Sequence, residues 1–190
     1  PERPALALHC MLASGSYWGP IAERLAGHVD LQGFDMPGHG RSGDWRPGPG
    51  DPDYHTAVTR IAASFITRPV DLIGHSMGGG ISIDVGVSVN AEQPGYVKAV
   101  VGIAPWNGAR PIPSSKVSAL NAPLLIFCSN SDKLCPCSGP STAVENISVD
   151  LPLPLSVPRF AAPVADRLAE AGMPFIFGPG ADLHWHGGSA

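Results

Sequence analysis

Gly74-His75-Ser76-Met77-Gly78 sets a serine between two glycines, each two residues away. An alcohol in that setting is a candidate nucleophile for acyl transfer. The preceding run Val70–Ile73 is mostly apolar, so the pattern predicts a strand that turns straight into a helix at Ser76. Such a turn forces its central residue into a sparsely populated backbone conformation. Side chains two positions to either side would strike the neighbouring strand and helix, which is why both positions are glycine. The serine oxygen is then held out at the carboxyl edge of a sheet, where N–H groups at the helix start stabilise negative charge.

A serine needs a base to become nucleophilic, and the base needs an orienting acid. On a strand–turn–helix elbow the chain order is serine, acid, histidine, with acid and histidine each following a later strand. Asp132 lies just past the apolar run PLLIFC and is the expected acid. Asp84 falls within the helix after the serine, Asp150 in an unpatterned stretch, and Asp182 close to the candidate histidines. The expected base is His184, in FGPGADLHWHGG, with His186 as the alternative. An oxyanion hole needs two N–H donors. Met77 should supply one, and the loop LHCMLASG the other, from Met11 first and Cys10 second. His9 is expected to tie that loop down rather than act as a second base. His184 and His186 alternate as metal ligands can, but two ligands make a poor site, and Cys10, Cys128, Cys135 and Cys137 lack a paired CxxC spacing. No metal and no cofactor are expected, and the cysteines read as free or partly buried thiols, with a disulfide as the alternative.

The elements that would position these groups alternate in type. Ala5–His9, Val29–Phe34, Val70–Ile73, Val97–Ala104, Pro123–Cys128 and Pro174–Phe177 read as strands. Trp18–Leu25, Tyr54–Ile66, Gly78 to about Asn90, and Ala161–Ala171 read as helices. Val58, Ile61, Phe65 and Ile66 should form the inward face of the second helix. The segment ISIDVGVSVN is rich in β-branched residues and holds Gly86, so local propensity favours strand; the elbow before it favours helix. Strands alternating with helices imply a mostly parallel sheet covered on both faces, within one domain over residues 1–190.

At 190 residues the chain is long enough for one core, and 44% hydrophobic against 15% charged residues describes a globular protein. A net charge of −4 without a basic cluster argues against nucleic acid as a partner. No apolar run reaches the roughly 18 residues that cross a bilayer. A leader peptide is neither visible nor excluded, and nothing indicates an oligomeric state.

Taken together, LALHC, FDMPGHGRSG, GHSMGGG, LLIFCSNSD and DLHW make the chain resemble the α/β-hydrolase superfamily from Leu6 to His184. In that resemblance they correspond to the oxyanion loop, the glycine-rich loop after the next strand, the nucleophile elbow, the acid turn and the histidine loop. The front half resembles the haloperoxidase-like branch; from GHSMGGG through IAPWN to APLLIFCSNSD the chain is similar to cutinases and polyester hydrolases. The resemblance implies that Trp106 and Met77 line the acyl pocket, with Cys10 beside it. It also marks two departures. Cys10 stands where the family usually has glycine, and the resemblance starts at the strand before the oxyanion loop, so the expected fold is truncated at its N-terminus. Residues 105–123 are too few and too rich in proline for a multi-helix cap, which implies an open pocket.

The reading is a serine hydrolase that cleaves small or polymeric carboxylic esters through an acyl-enzyme. Perhydrolysis or thioester cleavage by the same triad is the alternative chemistry, and an inactive scaffold or binding protein the alternative class. The cysteine pattern tilts the compartment toward the cytoplasm, the polyester-hydrolase resemblance toward secretion.

Overall fold

The computed structural model describes residues 2–107, 113–129 and 181–184; for 114, 128–129 and 181–184 it describes the backbone. Strands β1 (Arg3–Leu8), β2 (Val29–Gly33), β3 (Val70–His75), β4 (Val97–Ile103), β5 (Leu124–Ser129) and β6 (Ala181–His184) form one sheet in the order β2-β1-β3-β4-β5-β6. The first five are parallel and β6 is antiparallel to β5. This is the mostly parallel α/β sheet that the alternating pattern predicts.

Successive side chains along a strand point to opposite faces, and here both faces are buried. Leu6, Leu8, Leu72, Val100 and Ile126 join the larger core beneath helices α2 (Tyr54–Ser64), α3 (Met77–Glu92) and α4 (Ser114–Leu120). Ala7, Ile73, Val101, Leu125 and Phe127 face the other way and pack with Trp18 and Ile21. Those two residues come from a 3-10 turn, Gly15–Trp18, and helix α1, Gly19–Leu25.

The ambiguous segment after Ser76 is helix, sixteen residues long. Its residues from Met77 to Ile83, and Val85, Gly86, Val89 and Asn90, are buried, so it has almost no polar face to display. Burial between sheet and helices outweighs the weak strand preference of its β-branched residues. Gly86 admits α4: a Cβ there would lie 2.4 Å from the Leu120 Cδ1. Asn90 closes the junction, bonding the Val97 backbone N–H and C=O and the Leu120 carbonyl. Asp84 sits at the meeting point of three helices, bonded to His55 Nε2 of α2 and Lys116 Nζ of α4, each at 2.5 Å.

Three expectations change. The inward face of α2 is Val58, Ala62 and, just past its end, Ile66, whereas Phe65 is 56% exposed and its ring lies 5.0 Å from that of Phe34. Helix α2 ends at Ser64, and Phe65 caps it rather than continuing its inward row. Helix α4 replaces an expected connection. Of the segment DLHW, residues 182–184 belong to a strand, Ala181–His184, that pairs antiparallel with the edge of β5. The expected elements Ala161–Ala171 and Pro174–Phe177 lie outside the described residues.

Candidate active site

Ser76 stands between β3 and α3 with φ 53° and ψ −119°, a left-handed conformation that side chains rarely adopt. The flanking glycines explain how it is held. A Cβ on Gly74 would lie 2.2 Å from the Gly78 carbonyl oxygen, and one on Gly78 would lie 2.3 Å from the Leu8 carbonyl oxygen and 2.5 Å from that of His9. Helix α3 therefore starts in contact with the carboxyl end of β1. The next glycines bring in a third segment: a Cβ on Gly80 would lie 2.1 Å from the Trp106 carbonyl oxygen. The Ser76 N–H donates to Ile103, and its carbonyl accepts from Gly79, Gly80 and Trp106. The elbow is thus pinned by β1, β4 and its own helix.

The chain after β1 makes the turn Cys10–Ala13, closed by the Ala13 N–H on the Cys10 carbonyl at 3.2 Å. His9, fully buried, holds it in place. Its Nε2 accepts the Met36 N–H at 3.1 Å, so its Nδ1 carries the proton and donates to the Cys10 carbonyl at 2.8 Å. Burial lowers its pKa, and the ring stays neutral with both nitrogens committed. His9 is a tether between the turn and the glycine-rich loop, not a base.

That loop, Phe34–Gly43, is organised by Asp35. The Asp35 carboxylate accepts the Gly15 N–H at 2.6 Å and the Arg41 N–H at 2.8 Å, which together hold its carboxyl below the usual carboxylate range. Gly40 has φ 56°, and a Cβ there would lie 2.4 Å from that carboxylate. The Tyr54 hydroxyl donates to the Pro37 carbonyl at 2.9 Å and lies 3.1 Å from His39 Nδ1, and the His39 ring lies 5.2 Å from that of His9.

At Cys10 the backbone does not call for glycine. Cys10 is not among the residues with positive φ; in this loop that conformation falls on Leu12, at 64°. Burial raises the Cys10 thiol above its ordinary value, so it is protonated at neutral pH and a poor nucleophile.

The structure gathers Ser76, Met77, Cys10, Met11 and Trp106 at the carboxyl edge of β1, β3 and β4. Met77 is the first residue of α3, its side chain in the core. Met11 is half exposed on the turn, and Trp106 is partly buried against the larger core. Sequence reasoning missed Tyr17, whose ring stacks on His75 at 5.5 Å with 17° between planes. Only its aromatic type, ahead of an apolar helix, could have drawn attention to it.

His184 is the last residue of β6. Leu8, Gly74, Gly102, Ile126 and His184 form one row across the sheet. Three strand spacings of about 4.8 Å put the His184 backbone about 14 Å from Gly74. Asp132 and His186 lie outside the described residues. Among the described residues no group of three His, Cys, Asp or Glu could hold a metal ion, and no helix is long and apolar enough to cross a membrane.

A parallel sheet whose strained serine sits between strand and helix, crowded by glycine, defines a class. Residues 6–126 match the model of the alpha/beta hydrolase fold family, and the chain belongs to that family. It is similar to "Putative carbamate hydrolase RutD" of Rhizobium rhizogenes, 32% identical over 99 residues, which cover 52% of this chain and 36% of that protein. It is also similar to the monoglyceride lipase of Mus musculus, 41% identical over 70 residues, covering 37% of this chain and 22% of the lipase. The matched part thus spans well under half the length of these curated relatives. Among solved structures, a "predicted CIB-like hydrolase" of Thermoplasma acidophilum shares the fold with a TM-score of 0.53 at 19% identity, over 71% of this chain and 66% of that one.

Proposed function

We propose that this chain, as one domain over residues 1–190, is a hydrolase of neutral carboxylic esters that works through an acyl-enzyme on Ser76. The observation that carries the reading is the Ser76 backbone, left-handed at φ 53° and held there by contacts that leave no room for a Cβ at Gly74 or Gly78. Strain kept at a serine on a sheet edge favours a reacting group over an ordinary turn. The likeness to a monoglyceride lipase supports an ester as substrate.

In this reading the Ser76 hydroxyl attacks the ester carbonyl. His184 takes its proton, and Asp132 orients the imidazole and stabilises its charge. The N–H groups of Met77 and Met11 bind the oxyanion, with Trp106 and Cys10 beside the acyl group. The alcohol departs with the proton from His184, and water then frees the acid and restores Ser76. Proton transfer needs the imidazole within hydrogen-bond reach of the serine. No cofactor takes part.

A carbamate is the second reading, favoured by the likeness to RutD. Its carbonyl passes through the same tetrahedral chemistry.

Fluorophosphonate labelling with peptide mapping tests the core of the reading. Ser76 should carry the label, and Ser76→Ala should abolish both label and ester turnover. Labelling of another serine, or none in folded protein, overturns it. Parallel assays on a p-nitrophenyl ester and an N-substituted carbamate decide between the two substrate classes.

A further inference from the structure

Four large apolar side chains are exposed among the described residues, and three of them lie in one short stretch: Met11 at 50%, Leu12 at 93% and Tyr17 at 40%. Leu12 is doubly unfavourable. It presents an alkyl chain to water, and its φ of 64° is one that a bulky residue rarely adopts. It occupies the third position of the Cys10–Ala13 turn, where positive φ calls for glycine or asparagine. Among the described residues no packing contact offsets either cost.

The stretch borders Ser76. The turn begins one residue after His9, whose carbonyl oxygen would lie 2.5 Å from a Cβ on Gly78. Tyr17 covers His75, the residue before the serine. From Met11 to Trp18 the sequence carries no charge. An uncharged apolar rim beside a nucleophile suits a neutral hydrocarbon chain and offers nothing to an ionic group.

We infer that Leu12, with Met11 and Tyr17, forms a lip that grips the aliphatic acyl chain of the substrate, making Leu12 a determinant of chain-length preference. The inference rests on the ester-hydrolase reading of Ser76 and deepens it. Strained residues that persist tend to sit where function needs them. Here the strain aims an alkyl group outward, where an extended chain can lie against it and both leave water.

The test compares wild type with Leu12→Gly, Leu12→Asn and Leu12→Met. Glycine and asparagine accept positive φ and so keep the turn while removing the alkyl group; methionine keeps an alkyl group of similar size. The readout is the ratio of kcat/KM for p-nitrophenyl decanoate to that for p-nitrophenyl acetate. It should fall about tenfold in the glycine and asparagine variants, as expected for loss of one apolar contact, and stay within about threefold of wild type in the methionine variant. The melting temperature of Leu12→Gly should rise by about 3 °C as strain is relieved. An unchanged ratio in the glycine and asparagine variants overturns the inference, as does an equal fall in the methionine variant.

A second measurement does not depend on turnover. Decanoate binding to Ser76→Ala, followed by tryptophan fluorescence, should weaken about tenfold when Leu12→Gly is added. Binding that is absent, or unaffected by Leu12→Gly, also overturns the lip. Binding that weakens as expected, in a protein whose wild type hydrolyses neither ester, keeps the lip and rejects the ester reading alone.

Discussion

The carbonyl oxygen of Ser76 accepts the backbone N–H of Trp106 at 2.9 Å. The nucleophile's main chain is thereby fastened to the segment leaving β4 as well as to α3. Its unusual backbone angles are a property of three elements meeting, and single substitutions there act on all of them.

Gly78→Ala tests the contact with the end of β1. Its Cβ would meet backbone at 2.3 Å, which no side-chain rotation relieves. We expect a loss of about 3 kcal/mol or more in chemical denaturation. Gly43→Ala is the matched control, since nothing lies within 4 Å of its Cβ position and its φ is not positive. It should change stability by less than about 0.5 kcal/mol. Equal effects at the two sites would contradict the crowded elbow.

His9 gives the fold a pH dependence. Its folded pKa lies below the ordinary 6.5, chiefly through burial. The unfolded chain therefore binds the proton more readily, so this contribution to stability is fully present above about pH 6.5 and is lost as pH falls toward the folded value. Denaturation midpoints measured from pH 8 to 5 should decline on the acid side. His9→Gln should be less stable at pH 8 yet flatter over that range. A wild-type midpoint that rises on acidification would refute the neutral tether.

Asp84 acts at lower pH. Burial pushes its carboxyl up, but hydrogen bonds from His55 and Lys116 and their charges more than offset this, and the net pKa lies below 3.8. Its stabilisation is present above about pH 3.8 and is lost as pH falls through the folded value. Asp84→Asn should cost about 1–3 kcal/mol at pH 7 and remove that part of the acid limb. A thermal melt of the variant that matches wild type at neutral pH would show the three-helix junction to be held by packing alone.

His184→Ala should lower kcat by about a thousandfold or more while Ser76 remains intact, and His186→Ala should not. Steady-state kinetics on one short ester, with circular dichroism to check folding, decide it. The reverse ranking would transfer the role of base to His186.

Much of this was legible in the residues. The two glycines flanking Ser76 announce a bend because a collision between backbone and Cβ is local and leaves a residue-by-residue mark. The helix after it was legible only through that bend, since Ile81, Ile83, Val85 and Val89 alone point to strand. Phe65 was misjudged because helical periodicity cannot say how wide the covered face is. Helix α4 escaped notice because seven residues after a proline carry too little pattern, and its stability comes from Gly86, Asn90 and Asp84 on another helix. Strand β6 is a long-range pairing with β5, and Gly178-Pro179-Gly180 before it masked its short alternation. The strain at Leu12 left no sign, because leucine gives no hint of left-handed backbone.

The tether from His9 to Met36 carries one more implication. The Cys10–Ala13 turn and the Phe34–Gly43 loop are separate in the chain but mechanically one piece, so natural variation in either should be matched by change in the other. A lineage adapting to a new substrate could rewrite the outward side chains at Met11 and Leu12 freely, while the imidazole beneath them stays as the hinge pin of the whole rim.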